Sequence, residues 1–259
     1  MPELPEVETV ARQLNDKIKG KTVNRVEIFD QKVIDSKLKV VPYKIKSIYR
    51  RGKSIIMALN NEKFILTHLR MTGHFYYDPK EKTRYCAALF HFSDNTTLSH
   101  NSIRRFGHMK LLSKKELDAE LKRLGPEPLE ITEKEFVSLL DSFPQANLKN
   151  KLLDQHCIVG IGNIYAQEAM YSARIHPEKK IADVSPAKLK QLHHHVQRIL
   201  NLSIVNNGTT VYNYANIDGK GDFQHLLSVY GKEKCPQGHQ IRKIQIGGRG
   251  TYYCDRCQR

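Results

Sequence analysis

The hydrophobic pattern of this chain changes period once, at Leu124-Gly125-Pro126-Glu127-Pro128. Before that break, short β-branched runs cover Val23–Ile28, Tyr43–Tyr49, Lys53–Leu59, Lys63–Leu69, Ala87–Phe92, Thr96–Ser99 and Met109–Leu112. Turn residues separate them at Arg51-Gly52, Asn60-Asn61 and Ser93-Asp94-Asn95. One helical stretch precedes them, with Val7, Val10, Ala11, Leu14 and Ile18 on one face and Gly20 as its stop. After the break the spacing is helical, and helices are expected over 133–143, 147–155, 163–172, 186–205 and 222–228. Thr132 with Glu135 three residues on makes a capping-box start, and Ser185 caps the fourth helix. The chain therefore reads as α+β: a β-sandwich or barrel led by one helix, a linker, then a helical domain. His193-His194-His195 point three ways around their helix and are expected on a solvated face, not around one metal.

The 259 residues suffice for one large domain or two small ones. Lys and Arg number 42 against 27 Asp and Glu, a net charge of +15. That excess calls for a polyanionic partner, nucleic acid first and an anionic membrane surface second. No run of 18 apolar residues exists, so no membrane span is expected, and the acidic N-terminus has no apolar signal region. The five cysteines are odd in number, and three crowd the C-terminus. This favours a reducing compartment and metal binding over a disulfide framework, hence a cytoplasmic protein.

Four segments carry chemistry. Cys235-Pro236-Gln237-Gly238-His239 is followed, fourteen residues later, by Cys254-Asp255-Arg256-Cys257. Two ligand pairs flanking a short hairpin match a zinc ribbon, with His239 standing in for a thiolate. The turn Gly247-Gly248-Arg249-Gly250 would present Arg249 at the hairpin tip. Second, Gly160-Ile161-Gly162-Asn163 precedes a helix, where free N–H groups can approach a phosphate and Asn163 could cap the helix. Third, Arg104-Arg105-Phe106-Gly107, with Met71 in a separate turn, suits a wedge into a duplex; the plainer reading places Phe106 and Met71 in the core. Fourth, Pro2 carries a secondary amine if Met1 is removed, and Glu3 and Glu6 lie close by in sequence. An α-amine titrates near about 8, so it is free far more often than a lysine at neutral pH. Taken alone, Pro2 and Glu3 read as an ordinary strand or helix entry, which the rest of the chain has to overturn.

Together these segments resemble the formamidopyrimidine-DNA glycosylase family (Fpg/MutM), related to endonuclease VIII (Nei). The resemblance rests on Pro2-Glu3-Leu4-Pro5-Glu6-Val7-Glu8, Arg51-Gly52-Lys53, His68-Leu69-Arg70-Met71-Thr72-Gly73, Arg104-Arg105-Phe106-Gly107 and Leu124-Gly125-Pro126-Glu127-Pro128-Leu129. It continues through Leu152-Leu153-Asp154-Gln155, Gly160-Ile161-Gly162-Asn163-Ile164-Tyr165, Val229-Tyr230-Gly231 and Gly248-Arg249-Gly250-Thr251. It implies a catalytic β-sandwich over 1–125, a helix–two-turns–helix DNA-binding domain over 130–228 and a zinc finger over 229–259. It also implies a monomer that binds damaged double-stranded DNA, does not bind membranes and associates with the nucleoid.

The implied activity is a bifunctional glycosylase and AP lyase that excises oxidised purines (8-oxoguanine and formamidopyrimidines) through a proline Schiff base and β,δ-elimination. Pro2 would be the nucleophile, Glu3 the acid/base, and Glu6 a support for the N-terminus. Lys53 and His68 would contact phosphates around the lesion. Asn163, Tyr230 and Arg249 would grip the backbone, with Arg249 part of the catalytic set, and Met71, Arg104 and Phe106 would fill the gap left by the extruded base. One structural Zn2+ would sit on Cys235, His239, Cys254 and Cys257. Residues 213–224 look like a flexible loop that closes on the lesion. The finger departs from the family's four cysteines, because Gly238-His239 stands where Cys-Gly is expected. Two further readings are a lesion-marking module without catalysis, which loss of Pro2, Glu3 or Lys53 would signal, and an Nei-like enzyme for oxidised pyrimidines, disfavoured by the wedge residues and Leu4-Pro5-Glu6-Val7. A membrane-surface protein is the remotest, because no amphipathic segment concentrates the charge.

Overall fold

The computed structural model describes residues 1–210 and 216–259. The chain forms two compact units, one of Met1–Arg123 with Asn207–Asp222, the other of Leu124–Asn206 with Phe223–Arg259. The helical stretch expected over 130–228 is thus interrupted at 207–222, which packs with the N-terminal unit.

The first unit opens with α1 (Leu4–Ile18), capped by Glu3 and carrying Pro5 in its first turn. Leu4, Val7, Val10, Ala11, Leu14 and Ile18 are all buried, as their spacing predicts. Each of the Val, Leu and Ile side chains contributes roughly 1.5–3 kcal/mol on leaving water. Gly20, at φ +83°, ends the helix and donates its N–H to Ile45 O. Eight antiparallel strands follow: β1 (Thr22–Ile28), β2 (Tyr43–Arg51), β3 (Ser54–Leu59), β4 (Lys63–His68), β5 (Gly73–Tyr77), β6 (Cys86–Phe92), β7 (Thr97–Ser102) and β8 (His108–Ser113). Their order is β5-β7-β6-β1-β2-β3-β4-β8. β1 and β2 pair only at Thr22–Lys44 and Val23–Tyr43, so the sheet divides there into two four-stranded halves. One buried cluster joins Val26, Phe75, Phe90 and Leu98 from one half to Ile45, Met57, Ile65 and Met109 from the other, the packing of a sandwich.

Two elements were not expected from the pattern. β5 is short and rich in His and Tyr. α2 (Lys114–Leu121) starts at a Ser113–Glu116 capping box and buries Leu117 against Ile56, Leu66 and Leu112. That cover explains why Ile55, Ile56 and Met57 of β3 are buried on both faces. Residues 216–218 lie along α1: Gln13 accepts the Ile217 N–H at 2.9 Å, and Lys17 pairs with Asp218 at 2.8 Å. Residues 213–215 of the expected loop lie outside the described residues.

The second unit contains α3 (Glu133–Asp141), α4 (Leu148–Leu153), α5 (Asn163–Ser172), α6 (Pro186–Val205), and the hairpin β9 (Arg242–Ile246) with β10 (Arg249–Tyr253). The expected helix at 222–228 is only a short 3₁₀ turn, Phe223–Leu226. α5 is buried along Ile164–Tyr171, as the central helix of this unit. The three consecutive histidines part company. His193 is buried, bonds Ile131 O at 2.9 Å and packs on Phe136, whereas His194 is exposed and His195 half-buried. The solvated-face expectation therefore fails for His193. No described helix is long and apolar enough to cross a membrane.

His100 on β7 is fully buried, and neither ring nitrogen has a hydrogen-bond partner. Burial, with a smaller contribution from His74, holds its pKa down to about 3 against an ordinary 6.5. The unfolded chain therefore takes up this proton first, and stability is lost as pH falls from 6.5 towards 3. Urea unfolding of the native chain and of His100→Leu between pH 7 and 5 should diverge. Below 6.5 the native chain should lose up to about 1.4 kcal/mol more per pH unit than the variant. Parallel pH dependence in the two would contradict this account.

Candidate functional site

At the start of α1, Pro2, Glu3 and Glu6 are all buried, as is Lys53 on the β2–β3 turn. Carboxylates removed from water need donors. Glu6, 2% exposed, accepts the Glu3 N–H at 2.8 Å and the Thr209 N–H at 2.7 Å. Gly208, at φ +81°, makes the second bond possible: a Cβ there would stand 3.0 Å from Glu6 Cγ and Oε1. Pro2 precedes the N-cap, at the positive end of the helix dipole.

Lys53 sits in a two-residue turn. Arg51 pairs with Ser54, and Gly52 takes φ +57°, the first position of a II′-type hairpin. Arg50 fixes that turn from behind. Its Nη1 donates to Gly52 O at 3.1 Å, and its Nε donates to Glu8 of α1 at 2.8 Å. Glu8 also accepts from Arg12 at 2.7 Å. Burial pushes the Glu8 carboxyl up, but the bonds from Arg12 and Arg50 outweigh it and hold its pKa below the usual range. The helix that begins at Pro2 and the turn that carries Lys53 are thus joined by one carboxylate. Sequence reasoning missed Arg50, because its partner lies 42 positions away.

Met71, Arg104 and Phe106 come together on the loops after β4 and β7. Arg104 Nη1 lies 3.1 Å from Met71 Sδ, and its guanidinium lies over the Phe106 ring at 5.0 Å. Met71 is 43% and Phe106 58% exposed, which rejects the core reading for both. The loops lie against each other only because Gly107 has no side chain: a Cβ there would be 2.8 Å from His68 O. The neighbouring arginines differ. Arg105 is clamped by both carboxylate oxygens of Asp30, whereas Arg104 faces outward with its side chain on Met71 and Phe106. His68 accepts the Arg70 N–H on Nδ1 at 3.1 Å, which places its proton on Nε2. Burial, then Arg70, His108 and Lys53, holds its pKa down to about 3, so it is a neutral donor at physiological pH.

In the second unit α5 organises the other expected site residues. Its N-cap is Gly162, not Asn163. Asn163 instead bridges, accepting from buried Lys149 at 2.8 Å and donating to Gly250 O at 3.1 Å. One turn on, Gln167 donates to Gly250 O at 3.3 Å and accepts the Tyr252 N–H at 2.5 Å. The hairpin is thereby docked with Arg249 exposed. Its tip is Gly247-Gly248, both at positive φ as a I′-type turn requires, and Arg249 is the first residue of β10, opposite Ile246. Glu168, 3% exposed, accepts the backbone N–H groups of Ser228, Val229 and Tyr230 at 2.8, 3.0 and 2.8 Å. Burial pushes its pKa up, more than those donors draw it down. The one acidic residue of a helix buried along most of its length was the signal that could have revealed it.

The donor atoms of Cys235, His239, Cys254 and Cys257 lie within 4.8 Å of one another. Cys235 and Cys257 sulfurs are 3.9 Å apart, and His239 Nδ1 is 3.3 Å from Cys257 Sγ and 3.8 Å from Cys254 Sγ. Zinc bonds of about 2.3 Å to sulfur and 2.0 Å to nitrogen give tetrahedral edges of roughly 3.5–3.8 Å, so this set fits one structural zinc bound through Nδ1.

A sandwich that buries its own N-terminal segment, followed in the chain by a helical domain ending in a zinc-binding hairpin, defines a helix–two-turns–helix zinc-finger protein. The family models agree segment by segment: formamidopyrimidine-DNA glycosylase N-terminal domain over 1–109, its H2TH domain over 124–214, and the zinc finger found in FPG and IleRS over 232–259. The chain belongs to the formamidopyrimidine-DNA glycosylase family. It is 36% identical to the formamidopyrimidine-DNA glycosylase of an Exiguobacterium species, over 100% of this chain and 99% of that one. With the Pelotomaculum thermopropionicum protein the identity is 38%, at the same coverage. A Lactococcus lactis FPG variant in complex with Fapy-dG-containing DNA superposes with a TM-score of 0.93 at 33% identity, covering 100% of both chains. The L. lactis Fpg with abasic-site DNA gives 0.92 at 33%, covering 99% of each.

Two outcomes follow from this geometry. Arg50→Ala should cost about 1–3 kcal/mol of stability by stripping a half-buried carboxylate of a charged donor, and the Glu8 titration, followed by NMR, should move up towards the ordinary range. An unmoved Glu8 would show that Arg12 alone sets its ionisation. His239→Ala should hold less than one zinc per chain by metal analysis; full retention would exclude His239 as a necessary ligand.

Proposed function

We propose that the chain is a bifunctional DNA glycosylase and AP lyase of base excision repair that removes oxidised purines, 8-oxoguanine and formamidopyrimidines, from double-stranded DNA. The observation that carries this reading is the buried Pro2-Glu3 start of α1, held by the Glu6 carboxylate and joined through Glu8 and Arg50 to the Lys53 turn. Once Met1 is removed, the Pro2 nitrogen has a lone pair. It attacks C1′ of the damaged nucleoside, the C1′–N bond to the base breaks, and Glu3 supplies the proton that opens the sugar ring. The resulting iminium ion acidifies C2′. Loss of a C2′ proton expels the 3′ phosphate, and a second elimination expels the 5′ phosphate, leaving a one-nucleotide gap with phosphate ends.

The remaining residues bind. Lys53 and neutral His68 meet phosphates beside the lesion, His68 through Nε2–H. Met71, Arg104 and Phe106 occupy the space of the extruded base. Unstacking a base costs a few kcal/mol, which these contacts and the phosphate grip of Asn163, Tyr230 and Arg249 offset. The zinc shapes the hairpin that carries Arg249 and takes no part in bond making. The +15 charge supplies salt-dependent, sequence-independent affinity suited to scanning, and supports association with the nucleoid.

The test is borohydride trapping on a duplex containing 8-oxoguanine opposite cytosine. The native chain should give a covalent adduct, and Pro2→Gly with Met1 retained should give none. A native protein that binds the duplex but is never trapped would instead favour a lesion-marking module without catalysis.

A further inference from the structure

One concentration of positive charge belongs to none of the surfaces above. In the second unit, a groove of about 670 Å3 opens where the C-terminal end of α5, the outer side of α6 and the base of the finger meet. Arg174, Lys188, Arg198, Arg256 and Arg259 line it, with His195, and no Asp or Glu does. Three other arginines have carboxylate partners: Arg50 with Glu8, Arg105 with Asp30, and Arg242 of the same finger with Asp255 at 2.8 Å. Among the described residues none of the five groove cations makes an ion pair with an acidic side chain. Lys188 is committed to Ala173 O at 3.0 Å, at the end of α5, where a cation is favoured. The four arginines are exposed. Arg174 also takes φ +57° just past the α5 C-cap, where glycine is the least strained residue.

The lining indicates the occupant. Arginine forks match phosphate oxygens in pairs. Small-molecule sites are mostly apolar, yet the one aromatic here, Tyr171, has its hydroxyl engaged by Gln237. An open polar channel fits a chain of phosphates passing across it. The groove is also remote from the proposed backbone grip. Tyr171 lies about 12 Å along α5 from Asn163, and the far end of β10 lies about 13 Å from Arg249.

We propose that this groove binds the phosphate backbone of a second nucleic-acid segment while the first occupies the lesion site, so that the protein passes directly between segments. This rests on the DNA-binding reading given under Proposed function. The test uses the full zinc-loaded chain, a short labelled duplex with an abasic analogue, and unlabelled undamaged duplex as competitor in stopped flow. Release of the label by the native chain should quicken as competitor rises. In Arg174→Gln/Arg198→Gln, and separately in Arg198→Glu, release should be independent of competitor, with affinity for the short duplex unchanged.

Competitor-driven release that persists in both variants overturns the proposal. So does native release that ignores competitor, and if inorganic tripolyphosphate still binds in that case, the groove serves a small polyanion. A native chain that binds no duplex at all overturns the DNA reading itself, an outcome distinct from failure of the groove alone.

Discussion

A carboxylate almost wholly out of water sets the geometry of the N-terminal unit. Glu6 must find donors where it is buried, and it takes them from two backbone segments about two hundred positions apart, Glu3 and Thr209. A backbone N–H cannot swing away as a side chain can, so these bonds fix the start of the chain against residues 207–210. Pro2 inherits that fixity. An N-terminus is ordinarily among the least ordered parts of a protein; here Pro2 and Glu3 are buried and the Glu3 N–H is bonded to Glu6.

The same device recurs in the second unit. α5 offers Asn163, Gln167 and Glu168 within about a turn and a half, and all three bind backbone of other segments, the β9–β10 hairpin at Gly250 and the stretch 228–230. Glu168 collects three N–H groups, which is nearly all that a buried carboxylate can accept. Strand β10, which bears Arg249, and the segment of Tyr230 are therefore held by α5 as well as by the packing of Val229 and Tyr252 around the finger. Zinc fixes the base of the hairpin, and Asn163 and Gln167 fix its side, so metal and helix divide the work of positioning one arginine.

Much of this was legible in the sequence because it depends on local pattern. The α1 face, seven of the eight strands, the capping box at Thr132 and the Cys/His spacing all follow from neighbours within a few residues. β5 was missed because five residues of Gly, His, Phe and Tyr carry little alternation, and α2 because it buries one leucine. The helix expected at 222–228 shrank to a 3₁₀ turn because backbone N–H groups from 228 onward are taken by Glu168. What stayed hidden were long-range polar bonds such as Arg50 to Glu8, which no periodicity encodes. Buried His193 was misread because a helix face that looks polar in sequence can still meet a carbonyl, here that of Ile131.

The exchange of a cysteine for His239 has a consequence in redox terms. A finger with four thiolates that loses its metal can close two disulfides and lock shut. This one has three sulfurs, so among themselves they can close one disulfide and must leave one thiol. The other two cysteines, Cys86 and Cys157, are buried, and burial pushes their thiols up in pKa and away from the reactive thiolate form. The remaining thiol can shuffle that disulfide among the three sulfurs, and an external dithiol, itself oxidised to its disulfide, is what returns all three to thiols. A glycosylase of this family thus carries a metal site that its own three sulfurs cannot close into two disulfides.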